Sequence, residues 1–407
     1  MKPAKSGSNA PRIRESRNVI FTAAIVAICI IAALFFMKTK PLKVACIGLS
    51  DLEIEAYSGL FSTDVRMIKA DYPRGGSGAL DDITADIIIA GNGLATRQVS
   101  GQFETPPESL LSSVPPSLVN SFRRSDGTVS GFPLQIDHFS LAWDTDFFAA
   151  LGLPAPDSRG AMEAAMQAYG SRVCPALLFA GGEDETLLLV LSALCVSEHG
   201  AAGYARAIEA IRGAPDVESA FHARIGNDGK GGDANLDSLI ERLSSWESAG
   251  FLHPEWQNLK AKDLKAYMEK NLAFMVLGTL TFRRSVDYQT IYRYGSIPFP
   301  SAGSPDALVS PITGVFFLPH TSNAATLKDV YEKMIEPDTA FRMAKATGKS
   351  TTVSTARAPD VQAANVLSWA AGRQTLVNGF YRDAFDDTSD ASAFAGAVRE
   401  RVRAKGR

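Results

Sequence analysis

Short apolar runs and amphipathic stretches take turns along most of this chain. Leu42 to Ile47, Asp86 to Ala90, Leu272 to Gly278 and Pro311 to Pro319 are mostly hydrophobic and only a few residues long, the pattern of strands covered on both faces. Val65 to Ile68 adds another short strand. Between them, hydrophobic residues recur at helical spacing, as in Asp51 to Phe61 with Leu52, Ile54, Tyr57 and Leu60. Helices are also predicted over Gly160 to Tyr169, Glu185 to Val196, Tyr204 to Arg212, Leu236 to Ala249 and Lys262 to Glu269, and from Leu327 onward. Gly295 to Pro300 reads as extended chain, because its two prolines exclude helix. The alternation predicts an α/β fold with a parallel sheet covered by helices. In such sheets ligands gather at the carboxyl ends of strands, and Gly48-Leu49-Ser50 and Gly91-Asn92-Gly93 are two such ends.

The first forty residues follow another pattern. Val19 to Met37 carries no charge, and as a helix it spans roughly 28 Å, about the hydrocarbon thickness of a bilayer. Lys2, Lys5, Arg12, Arg14 and Arg17 precede it, and Lys38, Lys40 and Lys43 follow. The larger basic cluster predicts a cytoplasmic tail over 1–18, a transmembrane signal anchor over 19–37, and an exported C-terminal part in the periplasm or outside the cell. A cleavable signal is the rival reading, but the run ends Leu34-Phe35-Phe36-Met37-Lys38 without the small residues of a cleavage site. Cys46 sits inside a strand behind Leu42-Lys43-Val44-Ala45, which is not a lipid-attachment box, and reads as a buried thiol. Cys174 and Cys195 could form a disulfide in an exported protein; spacing leaves that open.

At 407 residues the chain exceeds one ordinary domain and suits two lobes. A hydrophobic content of 46% with 21% charged residues is that of a globular protein, and a net charge of -3 supplies no basic field for nucleic acid. Neither metal-ligand nor CxxC spacing occurs. The five histidines are scattered, and the cluster from Gly226 to Asp233 lacks phosphate-loop and EF-hand spacing, so it reads as a surface loop. Glu183 and Glu185 stand at a helix start, where acids favour the dipole. No catalytic residues and no cofactor are expected.

Five segments in register carry a family likeness. They are Asp86 with its strand, Gly131 to Phe148, Gly250 to Pro254, Glu269 to Gly278, and Pro298-Phe299-Pro300. Together they resemble the extracellular solute-binding proteins of family 1, the sugar-binding receptors of ABC importers. The likeness spans nearly all of residues 42–407. It implies a periplasmic-binding-protein-like (type II) two-lobed fold with hinge crossovers, lobe 1 taking 41–136 plus 298–345 and lobe 2 taking 137–297 plus 346–407. It implies capture of a carbohydrate or similar small polar solute by hinge closure, with ABC permease subunits as partners and no enzymatic activity. The alternative is a membrane-anchored sensor or protein-interaction module that kept the fold without transport.

The likeness also nominates binding residues. Asp137 falls where the family carries an acid that contacts sugar, and an acid in an apolar strand is costly to bury unpaired. Gln135 stands two residues earlier on the same strand. The family often places a stacking tryptophan two residues after the strand-closing glycine; here that position is Leu280, and Phe282 is the nearest ring. Phe380-Tyr381 matches an aromatic pair that borders the cleft, which nominates Tyr381. Asn92 and Thr313 complete the ligand-binding set; Arg283, beside Phe282, could reach an anionic ligand but reads first as a solvated surface charge, and Trp256 reads as packing.

Overall fold

A computed structural model describes residues 41–61, 65–70, 85–93, 103–124, 126–170, 174–227, 233–303, 306–317, 324–372 and 375–406. The expected basic tail and membrane anchor lie outside the described residues. Leu42–Arg407 forms one compact unit.

Two hydrophobic cores organise that unit, each built on its own sheet. The first sheet runs in the order Ser350–Thr351, Phe132–Ile136, Ile312–Phe317, Ile87–Ala90, Leu42–Ile47 and Val65–Ala70. Leu42–Ile47 pairs in parallel with both of its neighbours, while Ile312–Phe317 runs antiparallel between Ile87–Ala90 and Phe132–Ile136. The four residues of Ile87–Ala90 are all buried, as their apolar sequence requires. Gly48 turns the chain at φ 63. Ser50 then caps the helix Asp51–Ser58 in a reciprocal box with Glu53, fixing Glu53 at the helix start.

The second sheet has the order Tyr294–Pro298, Phe139–Asp144, Met275–Thr279 and Leu177–Leu178. The two helices read separately from the sequence form one run, Asp184–Gly213, broken at Gly200 (φ 64, ψ -167). There the freed amide of Ala201 donates to the Asp306 carboxylate at 2.9 Å. Trp256 is packed as expected, buried against Phe179 with its indole N–H on Glu247.

The chain crosses between the cores at Ile136 to Phe139, Val309 to Ile312 and Val377 to Phe380, and these segments are tied to one another. The Asp137 amide donates to the Pro311 carbonyl and the Ser310 amide to the Val377 carbonyl. The Ile312 amide donates to the Asn378 side chain at 3.0 Å. Residues 346–407 do not all join the second core. Ser350–Thr351 pairs with Phe132–Ile136, and Ala363, Val366, Ala370 and Leu376 sit in the first core; the chain enters the second core at Val377 and Phe380. Cys46 is buried, and Cys174 and Cys195 are separate free thiols.

Candidate functional site

Between the cores lies a cleft of about 450 Å³, with the crossings at its base. Asp137 marks where the first sheet hands over to the second. Its side chain is only 7% exposed, and one carboxylate oxygen accepts the amides of His138 (2.8 Å) and Thr281 (3.2 Å). That arrangement satisfies an acid which would otherwise be costly to bury. Thr313 stands nearby on the adjoining strand, and Lys349 reaches the cleft from the first lobe, paired with Glu53. Burial pushes the Glu53 carboxyl up, but the Lys349 ammonium and the hydrogen bonds from Ser50 outweigh it, and its pKa is lowered.

The opposite wall is the start of the helix Asp184–Gly213. Gly181 and Gly182 precede it because no Cβ fits: at Gly181 one would lie 2.3 Å from the Trp256 ring, and at Gly182 one would lie 2.8 Å from the Asn258 backbone. Glu183, Asp184 and Glu185 then present carboxylates to the cleft. Glu183 accepts the Ala261 amide at 2.8 Å, Asp184 pairs with Arg399 at 2.7 Å, and Glu185 pairs with Arg382 at 3.0 Å. The dipole argument for these acids holds locally; their place in the cleft comes from tertiary structure. Their direct succession to a glycine pair was the available signal.

Two rings complete the lining. Phe282 lies across Gly278, where a Cβ would come within 2.6 Å of it, and Tyr381 faces the cleft beside Arg382. Asp137, Thr313, Phe282 and Tyr381 therefore share one cavity. Gln135 does not. It is fully buried within the first lobe, accepting from the Tyr57 hydroxyl and donating to the Thr347 hydroxyl, both at 2.7 Å. With both ends of the amide engaged, it ties two helices to its strand and offers nothing to a solute. Asn92 is not among the lining residues; it is 1% exposed, and its side-chain amide has no hydrogen-bond partner. Gly93 beside it packs on the Arg382 backbone, 2.7 Å from where its Cβ would stand.

Arg283 corrects an expectation. Rather than a solvated charge, it is 1% exposed, and none of its guanidinium nitrogens has a hydrogen-bond partner. Burial pulls its pKa down to about 10, with Asp137 opposing the shift. His138 is buried as well, with Nδ1 2.6 Å from the Ser310 hydroxyl and its ring 5.2 Å from Trp369. Burial, helped by Arg283, lowers its pKa to about 3, so it is neutral at ordinary pH. Among the described residues no cluster of His, Cys, Asp and Glu could hold a metal ion.

No protein-family model and no curated protein matches the chain. Solved structures do match. The bacterial solute receptor AcbH, described by its preference for β-D-galactopyranose, is 13% identical and superimposes with a TM-score of 0.69 over 90% of this chain and 100% of its own. The raffinose complex of RafE is 12% identical, with a TM-score of 0.61 over 90% and 100%. Maltose-bound MalE3 of T. maritima is 12% identical, with a TM-score of 0.57 over 89% and 94%. The chain has the mixed α/β fold of bacterial solute-binding receptors, the class that the five sequence segments resemble.

Proposed function

We propose that this protein is an extracytoplasmic receptor that captures a sugar or related small polar solute between its lobes and delivers it to an ABC importer, held at the membrane by residues 19–37. The observation that carries the reading is the composition of the cleft. The carboxylates that line it are acceptors suited to sugar hydroxyls, and Phe282 and Tyr381 are rings suited to the apolar side of a pyranose. Among them, Asp137, Tyr381, Phe282 and Thr313 are the contacts we assign, and Asn92 and Gln135 are left out. The neighbours' sugars make carbohydrate the first class to test. Closure about the three crossings would enclose the solute, and tethering would keep the receptor near its permease.

Thermal unfolding of the full chain against mono- and oligosaccharides tests this. A ligand at a hundred times its dissociation constant adds about 2.7 kcal/mol of stability. One sugar class should raise the midpoint, and Asp137→Ala should remove that rise. A panel without any shift would sink the receptor reading. Membrane fractionation of the full chain beside a version lacking residues 1–40 checks the anchor: the first should pellet with membranes and the second should not.

A further inference from the structure

A second groove of about 670 Å³ adjoins the cleft, sharing Thr281 with it and lined from both lobes. The large apolar side chains that stand exposed among the described residues, Leu52, Tyr288, Tyr292 and Val361, all line it. Tyr288 and Tyr292 are 74% and 79% exposed, with ring centroids 5.9 Å apart. Ring faces held open to solvent suit the apolar face of a sugar. The groove's charge is opposite to the cleft's. Arg283, Arg284 and Lys345 line it against a single carboxylate, Asp360. The cleft instead gathers Asp137, Glu183, Asp184 and Glu185 against Lys349 and Arg382.

The acids near Arg283 are already engaged. Asp360 pairs with Arg284 at 2.7 Å and accepts the Ala363 amide at 2.8 Å. Asp137 accepts the amides of His138 and Thr281. Arg283 is left as a buried cation whose guanidinium hydrogen-bonds to no described group, in a protein whose net charge is -3. A guanidinium presents a planar fork of donors suited to carboxylate or phosphate.

Resting on the receptor reading above, we propose that this groove is an anion-selective subsite: one unit of the solute occupies the cleft, and the next, bearing a carboxylate or phosphate, stacks on Tyr288 and Tyr292 with its anion on Arg283, Arg284 and Lys345. The preferred solute is then an acidic saccharide rather than a neutral one. Because Arg283 is covered in this structure, the anion meets it as the lobes part and close again around the solute.

The test is calorimetric titration of the full chain, in detergent, with digalacturonate, with the neutral disaccharide galactobiose and with glucose 6-phosphate. Digalacturonate, or the phosphate if that is the anion read, should bind at least tenfold more tightly than galactobiose. Arg283→Met should collapse that ratio to within about twofold, and Lys345→Ala, at an exposed position, should narrow it by a few fold. Equal affinity for charged and neutral sugars in the unaltered chain, or a ratio untouched by both variants, overturns the subsite and leaves the receptor reading standing. Binding of no saccharide at all overturns both.

Discussion

The two walls of the cleft are held in place by different means. The first-lobe wall depends on a chain of buried hydrogen bonds: Tyr57 to Gln135 and Gln135 to Thr347 join distant segments, and Thr347 to the Met343 carbonyl continues it within one helix. These tie the helix Asp51–Ser58, the strand Phe132–Ile136 and the helix Pro337–Thr347 into one block beneath Asp137 and Lys349. The second-lobe wall is built from a helix start behind a glycine pair and from a turn after Gly278 capped by Thr279. Its acids are held by single, partly exposed contacts, Glu183 to the Ala261 amide, Asp184 to Arg399 and Glu185 to Arg382. The difference implies that changes behind the first wall register as lost stability, whereas changes in the second register first as lost binding.

Gly314 offers the strongest way to break that distinction. It sits beside Thr313 at φ 64, and a Cβ there would stand 2.1 Å from the Tyr57 hydroxyl. Gly314→Ala combines backbone strain with a clash against a buried tyrosine, and about 3 kcal/mol or more of stability should be lost. The denaturant midpoint measures it. If the midpoint stays within error of the unaltered chain, the first wall is not the rigid block described.

Acid stability should show the next effect, and it reports on the crossings. His138 titrates near 6.5 when unfolded but at about 3 when folded. As pH falls below 6.5, the unfolded chain takes up a proton that the folded one refuses. Stability from this group is thus fully present above about pH 6.5 and falls as pH drops, until the folded ring also protonates near 3. The slope over that window is about 1.4 kcal/mol per pH unit at most, a total on the order of a few kcal/mol. Glu53 adds a loss of the same sign at lower pH, because its folded pKa is lowered. Chemical unfolding of His138→Asn beside the unaltered chain from pH 7 to 4 isolates the histidine. Parallel curves would mean that the ring is not held neutral.

Gln135 sharpens the comparison further. Gln135→Ala takes away the acceptor of the buried Tyr57 hydroxyl, while the Thr347 hydroxyl keeps the Met343 carbonyl, and about 2 kcal/mol of stability should go. For any sugar that binds, the dissociation constant at low temperature, where the variant stays folded, should move less than threefold. A larger loss of affinity without lost stability would put the amide in contact with solute.

Which of these features the sequence discloses depends on how local their causes are. Strands such as Ile87–Ala90 are legible because burial on both faces leaves no polar position. Asp137 is legible because a lone acid in such a strand needs a reason. Gln135, two residues earlier, carries the same polar signal, but nothing in the strand tells which residue meets a partner helix and which a cavity. Arg283 lies in a five-residue helix, and residues 345–348 and 360–362 complete the groove around it from far along the chain. The strand Ser350–Thr351 is too short to show any period, so the return of the chain to the first sheet after residue 346 leaves no trace in the hydrophobic pattern.

The smallest effect concerns covalent support for the second lobe. Cys195 is fully buried in the helix Asp184–Gly213, and Cys174 is also buried; both are free thiols. Burial pushes the Cys195 thiol far up from its ordinary value, and in the first lobe it pushes Cys46 up to about 11. Thiols so held react slowly, because the thiolate is the nucleophile. Cys46 and Cys195 should therefore resist alkylation in the native protein, and Cys174 should be shielded by its burial. After unfolding without reductant, all four cysteines of the chain should label, and reductant should move the thermal midpoint by less than about 1 °C. A disulfide of even a short loop would add about 3 kcal/mol, so a drop of several degrees on reduction, with two thiols missing from the labelling count, would show that the second lobe depends on a cross-link and not on packing alone.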